Sequence, residues 1–208
     1  AVAEHTGMGR ERIVLGNGSN DLLDILARVF LAPGRSAVYA QYAFAVYPLA
    51  TISAGGEPIA VPALNFGHDL DAMRAAIRPD TRLVWMANPN NPTGTFIPYP
   101  VLKAFLQSLP KEVVVVLDEA YNEYIPAAEH VDTTPWVNEF PNLVLTRTFS
   151  KIYGLAGLRV GYALASAEVA DLMNRIRQPF NCNNLALAAA TAALGDHEFL
   201  ARSHDSNR

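Results

Sequence analysis

The chain is short of the residues that mark several common protein classes. It holds one cysteine, Cys182, in 208 residues. A single thiol excludes an internal disulfide and fits a reducing compartment. There is no basic block and the formal net charge is −4, so nothing favours a nucleic-acid partner. No apolar run approaches the roughly 20 residues of a membrane span. The residues present carry no signal-peptide pattern, and a cytoplasmic location is the expectation. The five histidines, His5, His68, His130, His197 and His204, are scattered at spacings that match no metal site. Each reads as a surface or hydrogen-bonded histidine, and no metal is expected. Internal repeats and low-complexity tracts are missing. Lysine is scarce: only Lys103, Lys111 and Lys151 occur.

What is present is apolar residue in quantity, half of the chain, enough for one sizeable core. It comes in short runs: Ile13–Leu15, Ser36–Ala40, Leu83–Ala87, Val113–Leu117 and Asn142–Thr146. Runs of this length separated by helix-length segments read as buried parallel strands. Val160–Leu164 reads as a further strand. Helical patterns cover Asp69–Ile77, Tyr99–Leu109 after Pro98, Ala167–Arg177, and Asn184–Leu194 with Gly195 as a C-cap signal. Residues 126 to 135 read as a surface loop.

Polar clusters follow four of the runs: Gly16-Asn-Gly-Ser-Asn20, Asn88-Pro-Asn-Asn-Pro-Thr-Gly94, Asp118-Glu-Ala-Tyr121 and Thr148-Phe-Ser-Lys151. In α/β sheets ligands bind beyond the carboxyl ends of the strands, so all four clusters fall at the functional edge. Gly16–Asn20 is neither a dinucleotide fingerprint nor a Walker loop, because both spacings are wrong. Ser19 and Asn20 are good N-cap residues, and Leu22, Leu23, Leu26, Val29 and Phe30 continue as a helical face. A glycine-flanked turn at a helix N-terminus is an anion site. A lysine at a buried strand end is costly unless it is used. Burial lowers its pKa and yields a nucleophilic amine, so Lys151 points to Schiff-base chemistry.

Taken in order, these motifs resemble the fold-type I pyridoxal-phosphate enzymes, the aminotransferases. The residues that carry the resemblance are Gly16–Asn20, Asn90-Asn-Pro-Thr-Gly94, Asp118–Tyr121, Arg147-Thr-Phe-Ser-Lys151 and Gly154-Leu-Ala-Gly-Leu-Arg159. The similarity spans almost the whole chain and is closest to the histidinol-phosphate aminotransferase branch. It implies an α/β fold of three αβα layers with a mostly parallel sheet, in which Val160–Leu164 is antiparallel. It implies pyridoxal 5'-phosphate as cofactor, held covalently by Lys151. Asp118 is then the partner of the pyridinium nitrogen. Glu119 is the weaker choice, since alternation points it to the other face. Tyr121 and Asn91 match the positions that hydrogen-bond the ring's phenolic oxygen. Ser19, Asn20, Thr148, Ser150 and Arg159 fall to the phosphate. Phe44 matches the position that stacks on the ring, with Tyr42 and Tyr47 as near alternatives.

The resemblance also implies a boundary. Residues 1–208 correspond to the cofactor-binding large domain, without the N-terminal arm or the C-terminal small domain. In the family an arginine of the small domain binds the substrate carboxylate. None of the arginines here, Arg202 and Arg208 included, sits in a matching motif. The implied activity is transamination between an amino acid or amine and 2-oxoglutarate, in histidine biosynthesis, with histidinol phosphate the favoured donor. An aromatic amino-acid aminotransferase and a related pyridoxal-phosphate decarboxylase share every motif. An inactive cofactor-binding fragment is the rival from another class, and the chain alone is expected not to turn over. The partners are small amino and 2-oxo acids and, in the intact enzyme, a second copy of the chain; no nucleic acid or membrane is expected.

Overall fold

In the structure, a computed structural model describing residues 1–207, the chain forms seven strands, six of them at the apolar runs. They are Ile13–Gly16 (β1), Ser36–Ala40 (β2), Glu57–Val61 (β3), Thr81–Ala87 (β4), Val114–Asp118 (β5), Leu143–Thr148 (β6) and Gly161–Leu164 (β7). The helices are Val2–Thr6 (α1), Ser19–Phe30 (α2), Val46–Ser53 (α3), Leu70–Ala75 (α4), Tyr99–Ser108 (α5), Trp136–Glu139 (α6), Ala167–Ile176 (α7), Asn184–Ala193 (α8) and His197–Ser206 (α9). Arg208 lies outside the described residues.

One sheet holds all seven strands in the order β1-β7-β6-β5-β4-β2-β3. The pairs from β6 through β3 are parallel, and β7 runs antiparallel to both β6 and β1. Strand β1 therefore points the same way as the parallel strands. Its carboxyl end lies at the same edge as theirs, and so does the start of β7.

Side chains alternate across a strand, and here both faces are apolar. Val115, Leu117, Leu143 and Leu145 pack on one face with Leu102 and Phe105 of α5 and Ala186 and Ala190 of α8. Val114, Val116 and Val144 pack on the other with Leu22, Leu23 and Leu26 of α2, Tyr47 of α3 and Met173 of α7. The result is three layers, αβα. Within β5 the same parity carries Asp118 to the face of Val116 and sends Glu119 to the face of Leu117.

The expected helices differ only at their ends, with Asp69 and Ser166 as side-chain caps. Five details depart from expectation. Gly18, not Ser19 or Asn20, is the cap of α2: φ there is 84°, and no side chain caps the helix. Ser19 and Asn20 thus open the first turn with their hydroxyl and amide free of capping. Leu194 caps α8 in a right-handed conformation, and Gly195 after it does not have positive φ, so there is no left-handed turn. Strand β3 escaped notice because Glu57 and Pro58 interrupt its apolar pattern; an edge strand tolerates proline. Within the 126–135 loop, Thr133 and Thr134 are buried, because Thr133 is bonded to Glu119 beneath it. His68 also departs from expectation. Its two ring nitrogens are buried without a hydrogen-bond partner, and burial lowers its pKa to about 4.

No helix among the described residues is long and apolar enough to cross a membrane.

Candidate active site

The carboxyl edge of the sheet gathers the polar clusters. Ser19, Asn20, Phe44, Asn91, Asp118, Thr148, Ser150, Lys151 and Arg159 line one cavity of about 200 Å³. Each residue reaches it by a different route. Ser19 and Asn20 follow β1 at the N-terminus of α2, and Phe44 follows β2. Asn91 lies beyond β4, Asp118 ends β5, and Thr148 ends β6. Arg159 arrives from the opposite direction, just ahead of antiparallel β7. Gly161 pairs with both Thr148 and Gly16. A Cβ on Gly161 would lie 2.8 Å from the Arg147 carbonyl and from the Ser19 amide. Only glycine lets the three segments close up here.

Asp118 is the chemical anchor of the cavity. It is 4% exposed. One carboxylate oxygen accepts a hydrogen bond from the Tyr47 hydroxyl at 3.1 Å, the other from the Thr146 hydroxyl at 3.0 Å. Burial raises its pKa to about 6, against the pull of those two donors. A buried carboxyl poised this way gains from a cation set against it.

Glu119, on the other face, is spoken for. Its Oε2 accepts from Arg147 Nε at 2.8 Å, and Thr133 Oγ1 donates to Oε1. The pairing follows from register: Asp118 faces Thr146 across β5 and β6, so Glu119 meets Arg147.

Lys151 differs from the sequence reading. It is exposed, not buried at a strand end. Strand β6 closes at Thr148, and Phe149, Ile152 and Tyr153 take the buried positions around it. The lysine is left in a turn, on the cavity wall, with its Nζ 5.2 Å from the centre of the Tyr121 ring. Tyr121 and Asn91 meet: Asn91 Nδ2 lies 3.5 Å from the Tyr121 hydroxyl. Tyr121 does not line this cavity; with Asn91 and Lys151 it lines a second one of about 490 Å³, walled by Phe96, Tyr124 and Glu129. The two cavities meet at Lys151 and Asn91.

At the other end, Arg159 has left-handed backbone, φ 57°. Its Nη1 donates to Ser150 Oγ at 3.3 Å and to the Ala156 carbonyl at 2.9 Å. Among the described residues no carboxylate pairs with it. A Cβ on Gly18 would strike the guanidinium, so glycine there leaves the arginine room beside the uncapped start of α2. A free guanidinium and free helix N–H groups together favour an anion.

Of the aromatic alternatives, Phe44 lines the cavity. Tyr47 lies below it, fully buried under Asp118. Tyr42 is exposed and contacts Phe66. The sequence reading missed Thr146 and Tyr47 as partners of Asp118. The period of two offered a signal for Thr146, two residues beyond Val144 on the same face; nothing local marked Tyr47.

The family model for aminotransferase class I and II matches residues 1–208. The chain belongs to this family. It is 74% identical over 207 residues to histidinol-phosphate aminotransferase 1 of Dechloromonas aromatica, covering 100% of this chain and 57% of that protein. It is 64% identical to histidinol-phosphate aminotransferase 1 of Thiobacillus denitrificans, covering 97% and 52%. The chain thus spans about half the length of the curated relatives it matches. Among solved aminotransferases, histidinol-phosphate aminotransferase from Sinorhizobium meliloti, in complex with pyridoxal-5'-phosphate, superposes with a TM-score of 0.91 at 33% identity. The match covers 98% of this chain and 55% of that one. Aspartate aminotransferase from Thermus thermophilus, with maleate, superposes at 0.87 with 25% identity, over 99% and 56%.

Proposed function

We propose that the chain is the cofactor-binding large domain of a pyridoxal-phosphate-dependent aminotransferase. In this reading the donor is histidinol phosphate and the acceptor is 2-oxoglutarate. The observation that carries it is a single cavity with an amine at one wall, a buried carboxylate at its floor and an unpaired arginine at a helix N-terminus. Identity of 74% to a histidinol-phosphate aminotransferase supports the choice of donor over an aromatic amino acid. A decarboxylase or an inactive fragment gains no such support.

The residues fit the cofactor. It carries a phosphate, an aldehyde and a basic ring nitrogen, and the cavity offers a partner for each. Gly18 gives the Arg159 guanidinium its place beside the start of α2, where a Cβ would strike it. Ser19, Asn20, Thr148, Ser150 and Arg159 supply hydroxyls, amides and a cation for the phosphate. Asp118 supplies the anion that keeps a ring nitrogen protonated. Asn91 and Tyr121 would donate to the phenolic oxygen, and Phe44 would cover a ring face. When bound, pyridoxal phosphate supplies an electron sink. Lys151 Nζ would hold the cofactor's aldehyde carbon and would serve as the base that moves the proton of the substrate carbon. A second domain supplies the substrate-carboxylate arginine and closes over the site to exclude water. The intact enzyme works as a homodimer in the cytoplasm, a location in keeping with a single cysteine, Cys182.

Borohydride reduction after loading with pyridoxal 5'-phosphate tests the reading, because it fixes the cofactor on whichever lysine carries it. The Lys151 peptide is expected to hold the label. A label on Lys103 or Lys111 instead ends the assignment. Lys103 pairs with Glu139 at 2.7 Å and lines neither cavity. A companion screen of amino donors, on the intact enzyme, separates histidinol phosphate from aromatic amino acids.

Arg159→Lys is expected to weaken pyridoxal 5'-phosphate binding by about tenfold while leaving the Lys151 label in place. Lysine keeps the charge and loses the planar fork, and a hydrogen bond to a charged group contributes about 1.5–3 kcal/mol. Unchanged affinity in a spectroscopic titration would make Arg159 a structural arginine of the β7 approach.

A further inference from the structure

Tyr47 is fixed from several sides. Its ring stacks on Trp85 of β4, centroids 5.5 Å apart and planes 2° from parallel. The Trp85 indole N–H donates to Thr51 Oγ1 at 3.0 Å, and Thr51 Oγ1 donates back to the Tyr47 carbonyl at 2.8 Å. The circuit runs from α3 to the sheet and returns to α3. All three side chains are fully buried. The one polar atom this bracket presents to the site is the Tyr47 hydroxyl, and it meets an Asp118 oxygen at 3.1 Å. Thr146, held by β6, meets the other oxygen at 3.0 Å. A carboxylate gripped at both oxygens cannot rotate, and both donors favour its ionised form. Burial next to Asp118 holds the Tyr47 phenol well above its ordinary pKa, so it remains a donor at every working pH.

We propose that Tyr47 is a positioning residue for Asp118. Its hydroxyl, opposite Thr146, fixes the carboxylate toward the cavity and keeps it charged, ready for a protonated ring nitrogen. This deepens, and rests on, the cofactor reading above. The rival role for Tyr47 is packing alone, as one more large aromatic in the core.

Tyr47→Phe separates the two, because it keeps the ring and its stack and removes one oxygen. In the cofactor-free chain, carbon-13 NMR of the aspartate carboxyls is expected to show the Asp118 titration moving up by about one pH unit, the size of one hydrogen bond to a charged group. The pH profile of pyridoxal 5'-phosphate affinity should follow. Its acid limb moves up by about one unit, so binding is about fivefold weaker near pH 6, approaches tenfold weaker below about pH 5 and is little changed near pH 8. Thr146→Val should act in the same direction, and Thr146→Ser, which restores a hydroxyl, should bring the profile back. These threonine variants also carry the test if Tyr47→Phe does not fold. An Asp118 titration that stays in place in Tyr47→Phe, or in Thr146→Val, overturns the proposal. If the titration moves while the unsubstituted chain binds no pyridoxal 5'-phosphate at any pH, the cofactor reading falls and takes the ring-nitrogen role with it. If that chain binds and labels at Lys151 but the affinity profiles superimpose, only the role of Tyr47 is lost.

Discussion

Asp118→Asn is expected to bind pyridoxal 5'-phosphate weakly and to slow removal of the substrate proton by several orders of magnitude in the intact enzyme. The substitution keeps the shape of the side chain and removes its charge. Burial makes the charge matter. Asp118 is 4% exposed, and water neither screens it nor replaces it. An electrostatic partner in such a site is worth several kcal/mol in the transition state, or a factor of 10² to 10³ and more, by the order of magnitude of comparable deletions. Asp118→Ala should be at least as damaging, since it also leaves the Tyr47 and Thr146 hydroxyls without their acceptor. Cofactor affinity by titration and the single-turnover rate with an amino donor are the measurements. Near-normal single-turnover rates in Asp118→Asn would mean that the ring nitrogen has another partner. Glu119 does not offer one: it sits on the opposite face in an ion pair with Arg147.

The layers of the fold were legible because they rest on short-range rules. Four valines and a leucine before Asp118 can only be a strand buried on both faces, and the period of two then separates Asp118 from Glu119. The edge that gathers the polar clusters followed from the parallel order. What stayed hidden depends on pairing across long separations. Arg159 reaches the cavity because β7 runs backwards between β1 and β6, a topology that the resemblance implied and local pattern could not. Tyr47 meets Asp118 across 71 residues of chain, and its sequence surroundings show only one of several aromatics. The expectation of a buried Lys151 failed for a local reason. The strand stopped at Thr148, and Phe149, Ile152 and Tyr153 claimed the core. A lysine three residues beyond a strand is placed by its turn, not by the strand.

Glu119→Ala is expected to destabilise the chain by about 3–5 kcal/mol, the cost of leaving a buried cation without its partner. Arg147 is 7% exposed, and its Nε lies 2.8 Å from Glu119 Oε2. The next carboxylate, Asp132, is 3.8 Å away with its side chain 63% exposed. That pair is solvated and weak, so it recovers only part of the loss. Thr133 loses its acceptor as well, and with it the tie that holds the 126–135 loop over the sheet. A loss of this size is a large share of the roughly 5–15 kcal/mol that holds a domain folded. The position makes the consequence functional. Glu119 follows Asp118 directly, and Arg147 precedes Thr148, so loosening the pair frees the ends of β5 and β6 that present the carboxylate and the lysine turn. The double variant Glu119→Met with Arg147→Met should regain most of the stability, since apolar side chains of similar volume often replace a buried ion pair at little cost. Urea unfolding of the single and double variants, at constant m-value, measures both terms. A Glu119→Ala loss below about 1 kcal/mol would show that Arg147 finds solvent or Asp132 without strain, and that the pair does not hold this edge of the sheet.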